Sequence, residues 1–169
     1  MASNLPDAEA LVTSLTAMIK ADMTPDTVLV GIHTGGVWLA ERLQQLLGMN
    51  TPLGTLDITF YRDDFDERGL HHDAKRSAIP FDVAGKDIIL VDDVLYTGRT
   101  IRAAMNELFD YGRPARIRLA VLVDRQSREL PIGAQFVGMT FPVPDDEMLV
   151  LERSDDDKLA FKQMKKEPR

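Results

Sequence analysis

Residues Ile88–Thr100 read IILVDDVLYTGRT. Four apolar residues in succession have the pattern of a strand buried on both faces. Two acids, Asp92 and Asp93, stand where that strand is expected to end. A turn carrying Thr97, Gly98, Arg99 and Thr100 follows. Adjacent carboxylates at the mouth of a buried strand are costly unless something there uses them. The turn opens into TIRAAMNELFDYG, which places Ile101, Met105 and Leu108 on one helical face and stops at Gly112.

Working outward, the chain alternates strand and helix. PDAEALVTSLTAMIKADM sets Leu11, Leu15, Met18 and Ile19 at helical spacing after Pro6. TVLVGI reads as a short buried strand, and Gly35 and Gly36 open a helix that ends at Gly48. PLGTLDITFYRDD reads as a long strand, and FDERGLHHDAKRSAIPFDVAG as a long loop without either period. ARIRLAVLVD, AQFVGMTF and EMLVLE complete the strands, and the charged tail from Ser154 is expected to be a frayed helix or disordered. The organisation is one domain over 1–169, with a core of about 5–152 and a tail of 153–169. Strands alternating with helices predict a mostly parallel sheet covered on both faces. Ligands bind such sheets beyond the C-terminal strand ends, where the strand order reverses. The Ile88–Thr100 segment belongs at that place.

Composition narrows the function. Net charge is −7, so any nucleic-acid contact has to use a local basic patch. The chain has no cysteine, which removes disulfides, thiolate metal sites and thiol catalysis and fits the cytoplasm. No apolar run has the length of a membrane span, and MASNLPDAEA lacks the features of a secretory signal.

The loop chemistry points to a ribose phosphate. The helix after Gly98 offers free N–H groups and a positive dipole end to a phosphate. Gly98 permits close approach of the backbone, and Thr97 and Thr100 add hydroxyl donors. Asp92 and Asp93 repel a phosphate but accept hydrogen bonds from vicinal ribose hydroxyls, directly or through Mg2+. A Walker-type nucleotidase would need G-x-x-x-x-G-K-[S/T], and a dinucleotide fold would need G-x-G-x-x-G after a strand; neither is present.

With those residues in place, the segment closely resembles the phosphoribosyl pyrophosphate (PRPP) motif of type I phosphoribosyltransferases: an apolar strand, two acids and a T-G-x-T loop. LDITFYRDD, GRPARIRLAVLVDRQSRELPI and the spaced VGI-T-G resemble one branch, the bifunctional pyrimidine operon attenuation regulator/uracil phosphoribosyltransferase proteins, over about Val28 to Val150. The resemblance implies a type I phosphoribosyltransferase fold: a mostly parallel twisted sheet flanked by helices, with a small hood and a flexible loop. It implies conversion of uracil and PRPP to UMP and pyrophosphate with Mg2+. Asp92 and Asp93 would bind the ribose hydroxyls and, through them or through water, the metal. Val94, Leu95, Tyr96, Thr97, Gly98, Arg99 and Thr100 would form the 5-phosphate loop, and Thr34 and Gly35 the pyrophosphate loop. Arg62 and Lys75 would lie on the loop that closes over PRPP. Arg125 and the backbone at Leu149 would form the uracil pocket. UMP or UTP would act as effectors, an mRNA leader as the regulatory target, and the chain would form a dimer or larger homo-oligomer.

One departure stands out. Relatives carry K-T-R-G in the pyrophosphate loop, whereas this chain has His33, Thr34, Gly35 and Gly36. Two fixed charges are missing, so anion binding there would lean on backbone N–H groups. Arg113, Arg116, Arg118, Arg125 and Arg128 form a basic stretch that is either an RNA patch or a set of arginines facing solvent or bridging subunits. His71 and His72 read as a solvated loop, Trp38 as core or subunit interface, and the acidic runs at 145–147 and 155–157 as solvated surface. Two further alternatives stay open: a nucleotide-sensing RNA regulator with little turnover, and a phosphoribosyltransferase for another base.

Overall fold

A computed structural model describes residues 4–58 and 77–168. Its main sheet contains β1 (Thr27–Ile32), β2 (Gly54–Leu56), β3 (Asp87–Leu95), β4 (Arg116–Asp124) and β5 (Phe136–Thr140). The order is β2-β1-β3-β4-β5 and every pairing is parallel. The chain leaves β1 toward β2 and then returns to the other side of β1 to lay down β3. The order therefore reverses between β1 and β3, the crevice that such sheets offer to ligands.

Among the described residues, three helices cover the sheet: α1 (Ala8–Lys20), α2 (Gly35–Leu47) and α3 (Arg99–Tyr111). Alternation along β3 divides the core into two layers. Ile89 and Val91 point toward α1 and α2, where they pack with Leu15, Ile19, Leu39 and Leu43. Ile88 and Leu90 point the other way and pack with Ile101, Ala104 and Leu108 of α3. Both layers are dry, which is why the strand reads as an unbroken apolar run. No helix among the described residues is long and apolar enough to cross a membrane.

Three expectations change. β3 does not end at the acids: it continues through Leu95, with Asp92 opposite Val121 and Leu95 opposite Asp124. EMLVLE does not join the main sheet. It forms β6 (Glu147–Arg153), which pairs antiparallel with β7 (Leu159–Lys165) as a separate hairpin. β7 lies in the tail expected to be frayed or disordered. It is ordered because Leu159 and Phe161 alternate inward and bury against the α1 and α2 layer, while Ala160 and Lys162 face out. The hairpin is also tied down by Glu9. That carboxylate accepts the Leu159 amide at 2.9 Å and pairs with Arg42 at 2.6 Å. Of the long strand read from Pro52, only Gly54–Leu56 is strand within the described residues; Thr59 onward, and most of the long loop with His71 and His72, lie outside them.

Candidate functional site

The site is built where α2 and α3 begin. At the start of α2, glycine allows the helix to approach β3. A Cβ on Gly35 would run into the Asp93 carboxylate, and one on Gly36 would lie 2.5 Å from the Val91 carbonyl. The His33–Thr34 peptide is cis. Thr34, the N-cap of α2, makes no side-chain capping bond. Gly98 precedes α3 with φ of 95°, a left-handed conformation that disfavours other residues, and has no side chain to cap the helix. α1 differs, because Asp7 accepts the Ala10 amide at 3.2 Å. The two helices that face the crevice thus begin with caps that leave room for an anion.

The acids are held by the chain next to them. Asp92 Oδ1 accepts the Asp93 amide at 2.9 Å, and Asp93 Oδ1 accepts the Val94 amide at 2.8 Å. These bonds orient the two carboxylates. Asp92 is buried and Asp93 half-buried.

A cavity of about 460 Å³ opens over these groups. It brings together Thr34, Gly35, Asp92, Asp93, Val94, Tyr96, Thr100, Arg125 and Leu149. Thr34 and Leu149, 115 positions apart in sequence, converge there. Other members of the expected loop stand behind it. Leu95 is core, and Thr97 is buried with its Oγ1 accepting the Arg99 amide at 3.2 Å. The Thr97 carbonyl accepts the Glu129 and Leu130 amides, and the Arg99 guanidinium turns outward to Glu129 at 2.8 Å. Gly98 abuts Ile132. These residues shape the loop; Thr100 is its hydroxyl in the cavity. Arg62 and Lys75 lie outside the described residues.

Arg125 is 4% exposed. Its guanidinium donates to the carbonyls of Val143, Pro144 and Glu147 at 3.0–3.1 Å and stacks 3.8 Å from the Tyr96 ring centroid. Burial lowers its pKa from the ordinary arginine value, although Tyr96, Asp145 and Glu147 oppose that. Burial also raises the Tyr96 pKa, against the charge of Arg125, so the ring stays a neutral phenol that donates to Asp145 at 3.2 Å. Arg125 therefore fixes the wall formed by residues 143–147 and supports Tyr96 as a flat floor.

The cavity also contains side chains that the sequence reading did not assign to it: Trp38, Met148, Val150, Leu151 and Lys166. Trp38 is one turn after Gly35, so it shares the helix face that opens on the crevice. That spacing was the available signal. Asp145, read as solvated surface, is the partner of the Tyr96 hydroxyl. Most arginines of the basic stretch are engaged within the chain. Arg116 and Arg118 pair with Asp87, Arg118 also pairs with Asp22, and Arg128 pairs with Asp124. Only Arg113 of the five is left as an exposed arginine without a side-chain bond of this kind among the described residues.

The two neighbouring carboxylates are hard oxygen donors that suit Mg2+, and no group of three or more acidic or histidine ligands occurs among the described residues. That donor set fits a magnesium ion shared with a phosphate ligand and water rather than one caged by protein.

The chain is similar to known proteins in sequence and in fold. The phosphoribosyl transferase domain family matches residues 2–152. The chain is 49% identical over 152 residues to a bifunctional protein PyrR of Pseudomonas aeruginosa strain LESB58, covering 88% of this chain and 89% of that protein. It is 45% identical over 164 residues to the bifunctional protein PyrR of Pseudomonas putida strain W619, covering 90% and 95%. Among solved structures, a hypoxanthine phosphoribosyltransferase from Staphylococcus aureus superposes with a TM-score of 0.66 at 20% identity, over 88% of this chain and 81% of that one. A purine phosphoribosyltransferase from Pyrococcus horikoshii gives 0.60 at 22% identity, over 80% and 83%. At those identities the likeness is one of fold.

Proposed function

The chain belongs to the phosphoribosyl transferase family, in the group of bifunctional PyrR proteins, and from that premise we propose that it transfers phosphoribose from PRPP to uracil, giving UMP and pyrophosphate. The observation that carries this reading is the single cavity at the strand-order reversal that gathers Asp92, Asp93, Thr34, Gly35, Thr100, Arg125 and Leu149. In it, Asp92 and Asp93 accept the ribose hydroxyls and hold the sugar between the starts of α2 and α3. The N-terminus of α3 and the Thr100 hydroxyl receive the 5-phosphate. The start of α2, with Thr34 and Gly35, receives the pyrophosphate. Tyr96, fixed by Arg125 and Asp145, and the β6 backbone at Leu149 define the base pocket. Mg2+, when bound, would neutralise charge on the leaving pyrophosphate, with Asp92 and Asp93 as its protein-side acceptors. The transition state resembles an oxocarbenium ion at ribose C1. The residues work by holding the two reactants in line and by setting carboxylates beside developing positive charge. No covalent nucleophile is required.

A second reading shares the cavity: a UMP- or UTP-sensing regulator of pyrimidine genes that binds an mRNA leader and turns over slowly. The His33–Gly36 loop favours it, because the cations of K-T-R-G are absent there. The internally paired Arg116, Arg118 and Arg128 argue against the basic stretch as its RNA surface. The two readings separate in one experiment, UMP formation from labelled uracil, PRPP and Mg2+, with hypoxanthine, guanine and orotate alongside. Product from uracil alone establishes the enzyme. UMP binding without product from any base establishes the sensor.

A further inference from the structure

The cavity presents an imbalance of charge. Its lining acids are Asp92 and Asp93, and its lining cations among the described residues are Arg125 and Lys166. Arg125 is buried, and its two terminal nitrogens donate to three backbone carbonyls. Arg99, inside the phosphate loop, is turned away to Glu129. Among the described residues, a cavity read as taking a phosphorylated sugar thus has one accessible side-chain cation in view, and it comes from a segment beyond residue 152, where the family match stops.

Lys166 is not a loose end. Its amide donates to the Asp146 carbonyl at 2.8 Å, which extends the β6–β7 ladder by one step past the Glu147–Lys165 pair. Its ammonium lies 4.9 Å from the Tyr96 ring centroid, on the ring that Arg125 also stacks against. Tyr96 directly precedes the Thr97–Thr100 turn, and Thr100 and Lys166 line the same cavity. The ring attracts the cation weakly, which parks it at the mouth without satisfying its three donors.

We propose that Lys166 is a ligand-binding residue: its ammonium meets the 5-phosphate of the bound nucleotide or sugar phosphate and supplies the positive charge that the phosphate loop lacks. The proposal rests on the phosphoribosyl reading of the cavity and adds to it a residue from outside the region shared with the family. Charge-assisted hydrogen bonds to phosphate are strong, and exposure of the lysine moderates this one.

Calorimetric titration of the full chain and of Lys166→Ala with UMP, uridine and Mg2+-pyrophosphate tests it. The substitution is at an exposed position, so folding is retained. UMP affinity is expected to fall about tenfold. Uridine binding should be the same in both proteins, Lys166→Arg should recover most of the loss, and the salt dependence of UMP binding should flatten in the alanine variant. Equal UMP affinity in both proteins would overturn the proposal. So would an equal loss for uridine, or a loss confined to pyrophosphate. If the unmodified chain binds neither UMP nor PRPP, the phosphoribosyl reading itself fails and takes the proposal with it, an outcome distinct from equal binding by both proteins.

Discussion

Strand β3 carries aspartate at its start and again toward its C-terminal end, and the two regions are built differently. At its start, Asp87 is 4% exposed and surrounded by fixed partners. Arg116 reaches it at 2.7 Å, Arg118 at 3.0 Å and the Thr27 hydroxyl at 2.8 Å, so β1, β3 and β4 are pinned together by one carboxylate. Arg118 also reaches Asp22, just past α1. At the other end, Asp92 and Asp93 accept amides from the residues that follow them and face a cavity. The same side chain is a structural clamp where arginines surround it and lines a cavity where the neighbouring amides orient it. An acid at a strand end acquires its meaning from the residues that surround it, not from its position in the strand.

The largest effect should come from the open end. Asp93→Asn should lower UMP formation by more than about a hundredfold, since it removes charge beside the reacting carbon. Its melting temperature should stay within a few degrees of the parent chain. Full activity in a steady-state assay would show that the acids have been assigned to the wrong task.

The closed end should behave the opposite way. Asp87→Ala takes from the buried Arg118 one of its two carboxylate partners, and from Arg116 and Thr27 the acceptor they share, and should cost about 3 kcal/mol in urea unfolding. Kinetic constants measured at a temperature where the variant is folded should be unchanged. Acid should expose the same difference. Burial pushes the Asp87 carboxyl up, but hydrogen bonds from Arg116 and Thr27, with the charges of Arg118 and Arg116, outweigh it and hold the group below its ordinary value of 3.8. A depressed pKa stabilises the fold above the unfolded value, and that contribution is lost as pH falls below 3.8 and through the folded value. Stability measured across that range should fall in the parent chain and fall less steeply in Asp87→Asn.

A subtler probe is Gly35→Ala. Alanine is the better helix former, so stability should hold or rise slightly. The new methyl would displace Asp93, so the KM for PRPP should rise about tenfold with little change for uracil. The smallest effect is expected at the hairpin clip. Glu9→Gln weakens a partly exposed pair with Arg42 and should cost about 1 kcal/mol or less in thermal unfolding.

The sequence made the open end of β3 easier to read than the closed one. Asp92, Asp93 and the turn to Thr100 are contiguous, so their chemistry can be read from neighbours, and the periods of α1, α2, α3, β1 and β4 survive because each has a continuous buried face. The clamp at Asp87 joins residues 22, 27, 87, 116 and 118, and nothing in local pattern links them. β7 was missed for a related reason. Its inward face is only Leu159 and Phe161, and the surrounding charges outweigh so short an alternation. Lys166 is invisible without β7, because its place in the cavity depends on the hairpin register.

The Glu9 clip has a consequence for the order in which the protein is made. The carboxylate that anchors β7 is synthesised among the first residues, and the amide it accepts arrives 150 positions later. A growing chain can form the β1-α2-β2 portion and then add β3 and β4 well before the hairpin exists. Throughout that interval Asp92 and Asp93 would be present while the rim carrying Leu149 and Lys166 is missing. Nascent chains should therefore acquire a folded sheet before they acquire a closed pocket.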